Sequence, residues 1–296
     1  MRALVMCLVF VAACGNNSAS SGTGSAGSAS AQGAGSAVAA PTEQRVVSLT
    51  PSATEVMAAL GATKLLVGVD DYSSYPPEVT SLPKVGSFMQ PNLEAIVKLK
   101  PTLVIVDDVH GATAGALKDA GVTTVECAMH ALPDVKSALT TVGARIGKTA
   151  EAEKVSHEID AALDAAAAKK PAKRLKVLAI IDREAGGLGG LVAAGPGSWI
   201  DELLAVVGAE NVLAASGIRY PKISREEVLR GKPDVIIDLS YPARTSTAEW
   251  DAMDVPAVKA HRVVGVADPF LVAPSPRVIE ALAKLALLVD PNGPTR

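Results

Sequence analysis

Cysteine and aromatic side chains are scarce in this chain, which holds three Cys, four Tyr, three Phe and two Trp among 296 residues. Cys7 and Cys14 fall in the first fourteen residues, so the body keeps only Cys127. That excludes an internal disulfide and a cysteine-rich metal site there. Charge of one sign is also missing. The formal net charge is −3, and no basic run exceeds Lys169-Lys170 or Lys173-Arg174, which argues against nucleic acid as a partner. No Gly-x-Ser-x-Gly elbow, His-Glu-x-x-His pair or P-loop occurs, so the usual hydrolase and nucleotide signatures are absent. The one nucleophile-base pair worth naming for a remote hydrolase alternative is Cys127 near His130, and a Cys at a strand end is more often small filler. The expectation is a protein that is not an enzyme.

What is present begins with an address. Arg2 precedes an apolar run from Ala3 to Val11, then Val11-Ala-Ala-Cys14 and Gly15. The run is too short for a permanent membrane span and ends in small residues, as an export signal does. A Cys after two Ala resembles the lipobox of bacterial lipoproteins, which implies lipid on Cys14 and a membrane-anchored protein of the periplasm or cell surface. Residues 15–44 are mostly Gly, Ser, Ala and Thr, with no apolar period to bury, and read as a flexible tether.

The body carries an internal repeat. Glu94-Ala-Ile-Val-Lys-Leu-Lys-Pro-Thr-Leu-Val-Ile105 aligns without a gap on Glu226-Glu-Val-Leu-Arg-Gly-Lys-Pro-Asp-Val-Ile-Ile237, each position 132 apart. Each copy reads as a short helix, a Lys-Pro stop and a buried strand. A second pair, Glu55 to Ala62 and Glu202 to Ala209, matches at an offset of 147. Short apolar runs alternate with helical and turn signals in both halves, which predicts small parallel sheets with helices. The fold class expected is α/β, two Rossmann-like lobes at 45–148 and 172–290. Between them, Thr149 to Lys170 lacks Gly and Pro and places Val155, Ile159, Ala162 and Leu163 at helical spacing. One stiff connecting helix over 149–171 is predicted, about 30 Å long. Ser52 or Thr54 is expected to cap the first helix, and Val278 to Val289 to form the last.

A crevice between two such lobes is a natural ligand site, and the few aromatics point to it. Tyr72 and Tyr75 sit in a loop after a strand, Phe88 precedes the helix capped at Asn92, Trp199 follows Gly195-Pro-Gly, Tyr220 precedes Pro221, and Tyr241 and Phe270 follow strands. Any one of these also fits as cover for the end of a small core. As a set they suggest an aromatic-lined cleft. Asn92 and Ser224 look like N-caps, putting Glu94 and Glu226 in first helical turns, where the helix dipole favours a carboxylate. Ser224 with Glu227 forms a capping-box pattern and leaves Glu226 free. One free carboxylate at the same place on each lobe suits docking onto a two-fold symmetric partner.

Other chemistry is thinner. Gly186-Gly-Leu-Gly-Gly190 lacks the Lys of a phosphate loop and reads as a flexible loop at the cleft rim. Asp70-Asp71 and Asp107-Asp108 read as solvated loop carboxylates, since adjacent residues at a strand end point opposite ways. His110, His130, His157 and His261 are scattered, short of the ligands a closed metal cage needs. No resident metal is expected. His110 or His130 facing the cleft is one reading, a plain surface role the other.

Four stretches carry a resemblance that covers Arg45 to Asp290: Val46-Val-Ser-Leu-Thr-Pro-Ser-Ala-Thr-Glu55, Val67-Gly-Val-Asp-Asp-Tyr-Ser-Ser-Tyr-Pro-Pro77, Asn92-Leu-Glu-Ala-Ile-Val-Lys-Leu-Lys-Pro101 and Ser275-Pro-Arg277. They resemble the substrate-binding proteins of ABC importers for vitamin B12 and iron-siderophores, whose two lobes are joined by one long helix. Tyr220-Pro-Lys-Ile-Ser-Arg-Glu-Glu-Val-Leu229 looks most like the vitamin B12-binding branch. The resemblance implies a corrinoid cargo, with ferric siderophore or heme as alternatives of the same fold and a metal ion as a lesser one, and no cofactor besides the cargo. It places Tyr72, Phe88, Tyr220 and Asp268 at ligand-contact positions, and Glu94 and Glu226 at glutamates that dock with arginines of the importer's membrane subunits. Two departures stand out. Phe88 and Tyr220 replace tryptophans of that branch, and the Asp268 to Ser275 loop is one residue longer and lacks a basic residue. A monomer is expected, with a permease dimer as partner.

Overall fold

The computed structural model describes residues 43–171, 173–240 and 246–294. The signal-like segment, Cys14, most of the tether and Tyr241 lie outside the described residues.

The first sheet forms from runs that are apolar on both faces, as a strand covered by helices on each side must be. In chain order the elements are β1 (Val46–Ser48), α1 (Pro51–Ala59), β2 (Leu66–Val69), the small hairpin β3 (Gly86–Ser87) and β4 (Gln90–Pro91), α2 (Leu93–Lys98), β5 (Leu103–Val106), α3 (Gly111–Asp119), β6 (Thr124–Glu126) and α4 (Leu132–Ile146). Strand order is β2-β1-β5-β6, all parallel. The cap of α1 is Thr50, whose side chain accepts from Ala53 N, rather than Ser52 or Thr54. Pro51 at the first helical position fixes the start two to four residues earlier than expected, since its missing N–H has no partner to lose there.

After α5 (Thr149–Ala168) the pattern repeats with β7 (Lys176–Asp182), β8 (Val192–Ala193), α6 (Trp199–Val206), β9 (Glu210–Asn211), α7 (Arg225–Gly231), β10 (Val235–Asp238), α8 (Pro256–Lys259), β11 (Val263–Gly265), α9 (Pro269–Val272) and α10 (Val278–Val289). The parallel strands order as β9-β7-β10-β11, with β8 antiparallel to β7. Both sheets therefore share one order, and the sequence repeats fall at matching places. Lys100 and Lys232, 132 apart, each take a left-handed backbone (φ +48° and +44°) before a proline. Gly61 and Gly208 do the same after α1 and α6 (φ +64° and +80°), where the missing Cβ makes that region accessible without strain.

Alternation along the strands divides the core. Val46, Ile105, Val177, Ala179, Val235 and Ile237 join one cluster with α1, α4, α6 and α10, while Val47, Val104 and Val106 pack toward α2 and α3, and Leu178, Ile180 and Ile236 toward Trp250 and Val263. The inner helical layers of the two lobes thus merge into one apolar core. The connecting helix α5 lies on α4 and α10, with Ile159 and Ala152 buried. What holds the lobes in register is this shared core as well as the stiffness of a single helix.

Candidate ligand-binding site

The loops at the carboxyl ends of the parallel strands are where an open α/β sheet binds ligands. Here four of the eight turn through a side-chain carboxylate or amide that caps a backbone N–H two residues on. Asp70 accepts from Tyr72 N, Asn211 from Leu213 N, Asp238 from Ser240 N, and Asp107 weakly from Val109 N. This corrects the reading of Asp70 and Asp107 as solvated. Both are buried, whereas Asp71 and Asp108 are exposed, because the turn needs the first carboxylate of each pair inside. Burial pushes the Asp70 and Asp107 carboxyls up from their ordinary values.

In the first lobe a chain of buried hydroxyls fixes the aromatic loop. Ser48 Oγ lies 2.5 Å from Thr54 Oγ1, Thr54 Oγ1 2.7 Å from Ser73 Oγ, and Ser73 donates to Asp70. Lys84 Nζ closes the loop by donating to the carbonyls of Asp70 and Ser73 at 3.1 and 2.8 Å. On this frame Tyr72 stands 61 % exposed and Tyr75 is also outside. Phe88 lies in the turn between β3 and β4, half-buried, its ring edge-to-face with His110 at 5.4 Å. His110 is buried, 2.6 Å from the Phe88 carbonyl and accepting from Asp107 N. It braces Phe88 and does not itself face the cleft.

In the second lobe Tyr220 is 42 % exposed. Its loop is clamped by hydrogen bonds from Gly195 N to Arg219 O (2.7 Å) and Ala193 N to Pro221 O (3.0 Å). Gly195 permits this approach, since a Cβ there would meet Ile218 O at 2.0 Å. Beneath lies a network that the aromatic pattern did not reveal. Buried Asp238 accepts from Arg183 Nε (2.8 Å), Trp250 Nε1 (3.0 Å) and Ser240 Oγ (2.7 Å), and Arg183 also donates to Gly187 O and Ser246 O. With Leu188 buried, the Gly186–Gly190 stretch is pinned and not the free loop expected.

Two expected cleft aromatics belong elsewhere. Trp199, 1 % exposed, donates its indole N–H to Phe270 O at 3.2 Å and packs in the shared core. A helix N-terminus buried between lobes places that ring inward. Phe270 is buried beneath Arg277, whose guanidinium carbon lies 4.4 Å from the Phe270 ring centroid and 4.1 Å from that of Tyr75. Asp268 is half-buried and pairs with Lys284 at 3.0 Å.

The Arg277 stack joins the lobes, since Tyr75 comes from the first and Phe270 from the second. Glu55 of α1 adds a carboxylate 3.8 Å from Arg277, and Glu280 binds the same guanidinium. Beside the stack, a pocket of about 340 Å³ opens between Pro51, Glu55, Asp71, Tyr72 and Tyr75 on one side and Pro269, Val272 and Ala273 on the other. The sequence marks both walls, but nothing in it aligned Glu55 with Arg277. The Ser275-Pro-Arg277 motif was the available signal.

Asp107, Asp108 and His130 bring ligand atoms within 4.8 Å of one another. His130 Nε2 lies 3.0 Å from Asp108 and 3.7 Å from Asp107, so these adjacent carboxylates converge on one imidazole where opposite directions were expected. Cys127 is buried and its thiol is pushed up to about 12, chiefly by burial, which removes the thiolate a nucleophile needs. Glu94 and Glu226 are both exposed in the first turns of α2 and α7. Asn92 and Ser224 cap those helices, the latter in a capping box with Glu227.

Comparison with known proteins follows the same lines. A vitamin B12-binding protein of Salmonella choleraesuis is 34 % identical over 198 residues, covering 65 % of this chain and 71 % of that one. An ABC transporter substrate-binding lipoprotein of Bacillus subtilis is 31 % identical over 257 residues, covering 84 % and 81 %. Among solved structures, an apo periplasmic heme-binding protein of Roseiflexus sp. RS-1 superposes with a TM-score of 0.73 at 27 % identity, over 83 % of this chain and 98 % of that one. The periplasmic vitamin B12-binding protein of Vibrio cholerae gives 0.68 at 25 %, over 83 % and 96 %. The sequence pattern of the periplasmic binding proteins matches residues 46–268, and this two-lobed chain belongs to that family.

Proposed function

We propose that this chain is an extracytoplasmic solute-binding lipoprotein that captures a corrinoid between its lobes and hands it to an ABC importer. The observation that carries the binding role is the interlobe pocket, walled by Tyr72 and Tyr75 from one lobe and by Pro269, Val272 and Ala273 from the other. A further exposed ring, Tyr220, stands on a second-lobe strand-end loop. Exposed rings on clamped loops give a large, flat cargo apolar area at little cost in side-chain entropy. The corrinoid reading is supported by relatives whose names carry vitamin B12, among them the two described above, together with the Tyr220 to Leu229 motif. Heme is the second reading, favoured by the Roseiflexus neighbour.

Delivery is assigned to Glu94 and Glu226, which offer a carboxylate from the first turn of matching helices to the two halves of a permease dimer. Lipid on Cys14 anchors the protein to a membrane. Titration of the protein with cyanocobalamin, heme and a ferric hydroxamate, followed by quenching of intrinsic fluorescence, tests the cargo. Saturable binding of cyanocobalamin in preference to the other two is expected. Preference for heme or the hydroxamate overturns the corrinoid reading and leaves the family role standing.

A further inference from the structure

The pocket beside the Arg277 stack has aromatic and aliphatic walls and an acidic lining. Its charged lining residues are two carboxylates, Glu55 and Asp71. The nearby cation, Arg277, does not offset them toward an incoming group. Its Nε and one terminal nitrogen bind Glu280 Oε2, the other terminal nitrogen lies toward Glu55, and its two faces are covered by Tyr75 and Phe270. Glu55 exposes only 8 % of its side chain; the Ser275 side chain and Arg277 partly compensate its charge, but among the described residues its Oε2 has no partner at hydrogen-bond distance. A carboxylate this buried and only half satisfied is short of a donor. Burial raises its pKa from the ordinary value, as expected where the charged form lacks compensation.

We propose that this pocket is a donor-seeking subsite of the cargo cleft: it takes the N–H end of a side arm, above all a primary carboxamide, and rejects the same arm ending in a carboxylate. An amide N–H brings donors and no negative charge to the two carboxylates of the lining, Glu55 and Asp71, beside Tyr72 and Tyr75. A carboxylate in the same place meets two like charges and offers neither of them a donor. Sites built around a hydrogen bond discriminate by large factors against analogues that leave it unmade, and like-charge apposition at an interface adds to the rejection. The inference rests on the reading of the interlobe cleft as the cargo site and narrows it. Corrinoids carry their ring periphery as primary carboxamides, whereas heme carries carboxylates, so this subsite separates the two candidate cargoes by chemistry.

The test compares arms on one ring. The full chain is titrated with cyanocobalamin and with its monocarboxylic acids, in each of which one amide arm has been hydrolysed. At least one acid is expected to bind about tenfold more weakly than the parent. The same ratio, measured for Asp71→Asn and Glu55→Gln, is expected to fall to within about threefold. Asp71 is exposed, and its side chain makes no hydrogen bond or ion pair among the described residues, so its variant serves if Glu55→Gln folds poorly. Equal binding of all the acids by the unaltered protein, or a ratio that neither substitution moves, overturns the subsite. If heme binds and cyanocobalamin does not, the corrinoid reading fails by itself, and the subsite is then judged on heme against heme diamide. Tighter binding of the diamide sustains it, and equal or weaker binding overturns it. Binding of neither ring overturns both.

Discussion

Glu55 and Glu202 occupy matching places in α1 and α6, and each reaches across to the other lobe. Glu202 ends on the backbone N–H of Leu132 at 2.5 Å, where it satisfies the start of α4. Glu55 ends near Arg277, with one oxygen that has no hydrogen-bond partner among the described residues, in the lining of the interlobe pocket. The scaffold was repeated, but its polar fastenings were not. The same contrast runs through the strand ends. The first lobe holds its loop with hydroxyls and the lone carboxylate Asp70, whereas the second buries a full ion pair between Arg183 and Asp238, both side chains wholly covered. A repeat conserves what the backbone requires and leaves each lobe its own wall chemistry.

The largest expected effect tests whether the lobes are equivalent outward. Reversing Glu94 and Glu226 together to Lys should abolish cargo uptake in cells while leaving binding by the purified protein intact, since rim charges set docking more than folding. Each single reversal should reduce uptake to a similar degree. Strong loss from one lobe only would show that the importer reads the halves differently, and normal uptake in the double variant would remove both from docking.

Next in size is the inward difference. Asp238→Ala leaves the buried Arg183 without its close carboxylate and should cost about 3–5 kcal/mol in urea unfolding. Asp70→Ala removes hydrogen bonds to Tyr72 N and Ser73 and should cost about 1–3 kcal/mol. Equal losses would mean that the ion pair adds nothing over the hydroxyl frame. The pH profile separates the lobes further. Burial raises Glu55, Asp70 and Asp107, all of the first lobe. Each binds its proton more tightly folded than unfolded, so stability rises as pH falls from the raised values toward the ordinary carboxylate range of about 4. Asp108, Glu151 and Asp254 are held low by their partners and act the other way, contributing above that range and losing their contribution below it. Asp70→Asn with Asp107→Asn should flatten the gain, as read from unfolding midpoints across pH.

Binding comes third. Tyr72→Ala and Tyr220→Ala should each weaken cargo affinity by about tenfold or more, as for buried aromatic anchors. A loss confined to Tyr72 would place the cargo on the first lobe alone.

Much of this was legible in the sequence because periodicity and backbone needs leave marks. The 132-residue offset located α2 with β5 and α7 with β10, the gap without Gly or Pro located α5, and the apolar run located α10. Side-chain direction left no such mark. Trp199 looked like a cleft residue because it follows a Gly-Pro-Gly turn, yet the merged inner core claimed it. Asp70 and Asp107 looked solvated because a carboxylate in a loop usually is, yet the turn at a strand end needs its acceptor inside. The helices α3 and α4 carry no repeat partner in the sequence to mark them. Arg183 with Asp238, and Glu55 with Arg277, join residues 55 and 222 positions apart, pairings that no local pattern encodes.

The smallest effect addresses a strained backbone position that both lobes share and that each fills with a residue other than glycine. Lys100 and Lys232 adopt left-handed φ just after α2 and α7, where the Cβ of an L-residue is crowded by about 1 kcal/mol or more. Glycine relieves that crowding but widens the unfolded ensemble by about 0.4–1 kcal/mol. Lys100→Gly and Lys232→Gly should therefore each gain no more than about 0.5 kcal/mol, detectable as a small rise in urea midpoint at constant slope. Because both helices end against a Pro that opens the following strand, the two gains should match. A gain in one lobe with a loss in the other would mean that one lysine side chain does something at its helix end that its counterpart does not, and the repeat would then be alike in path only.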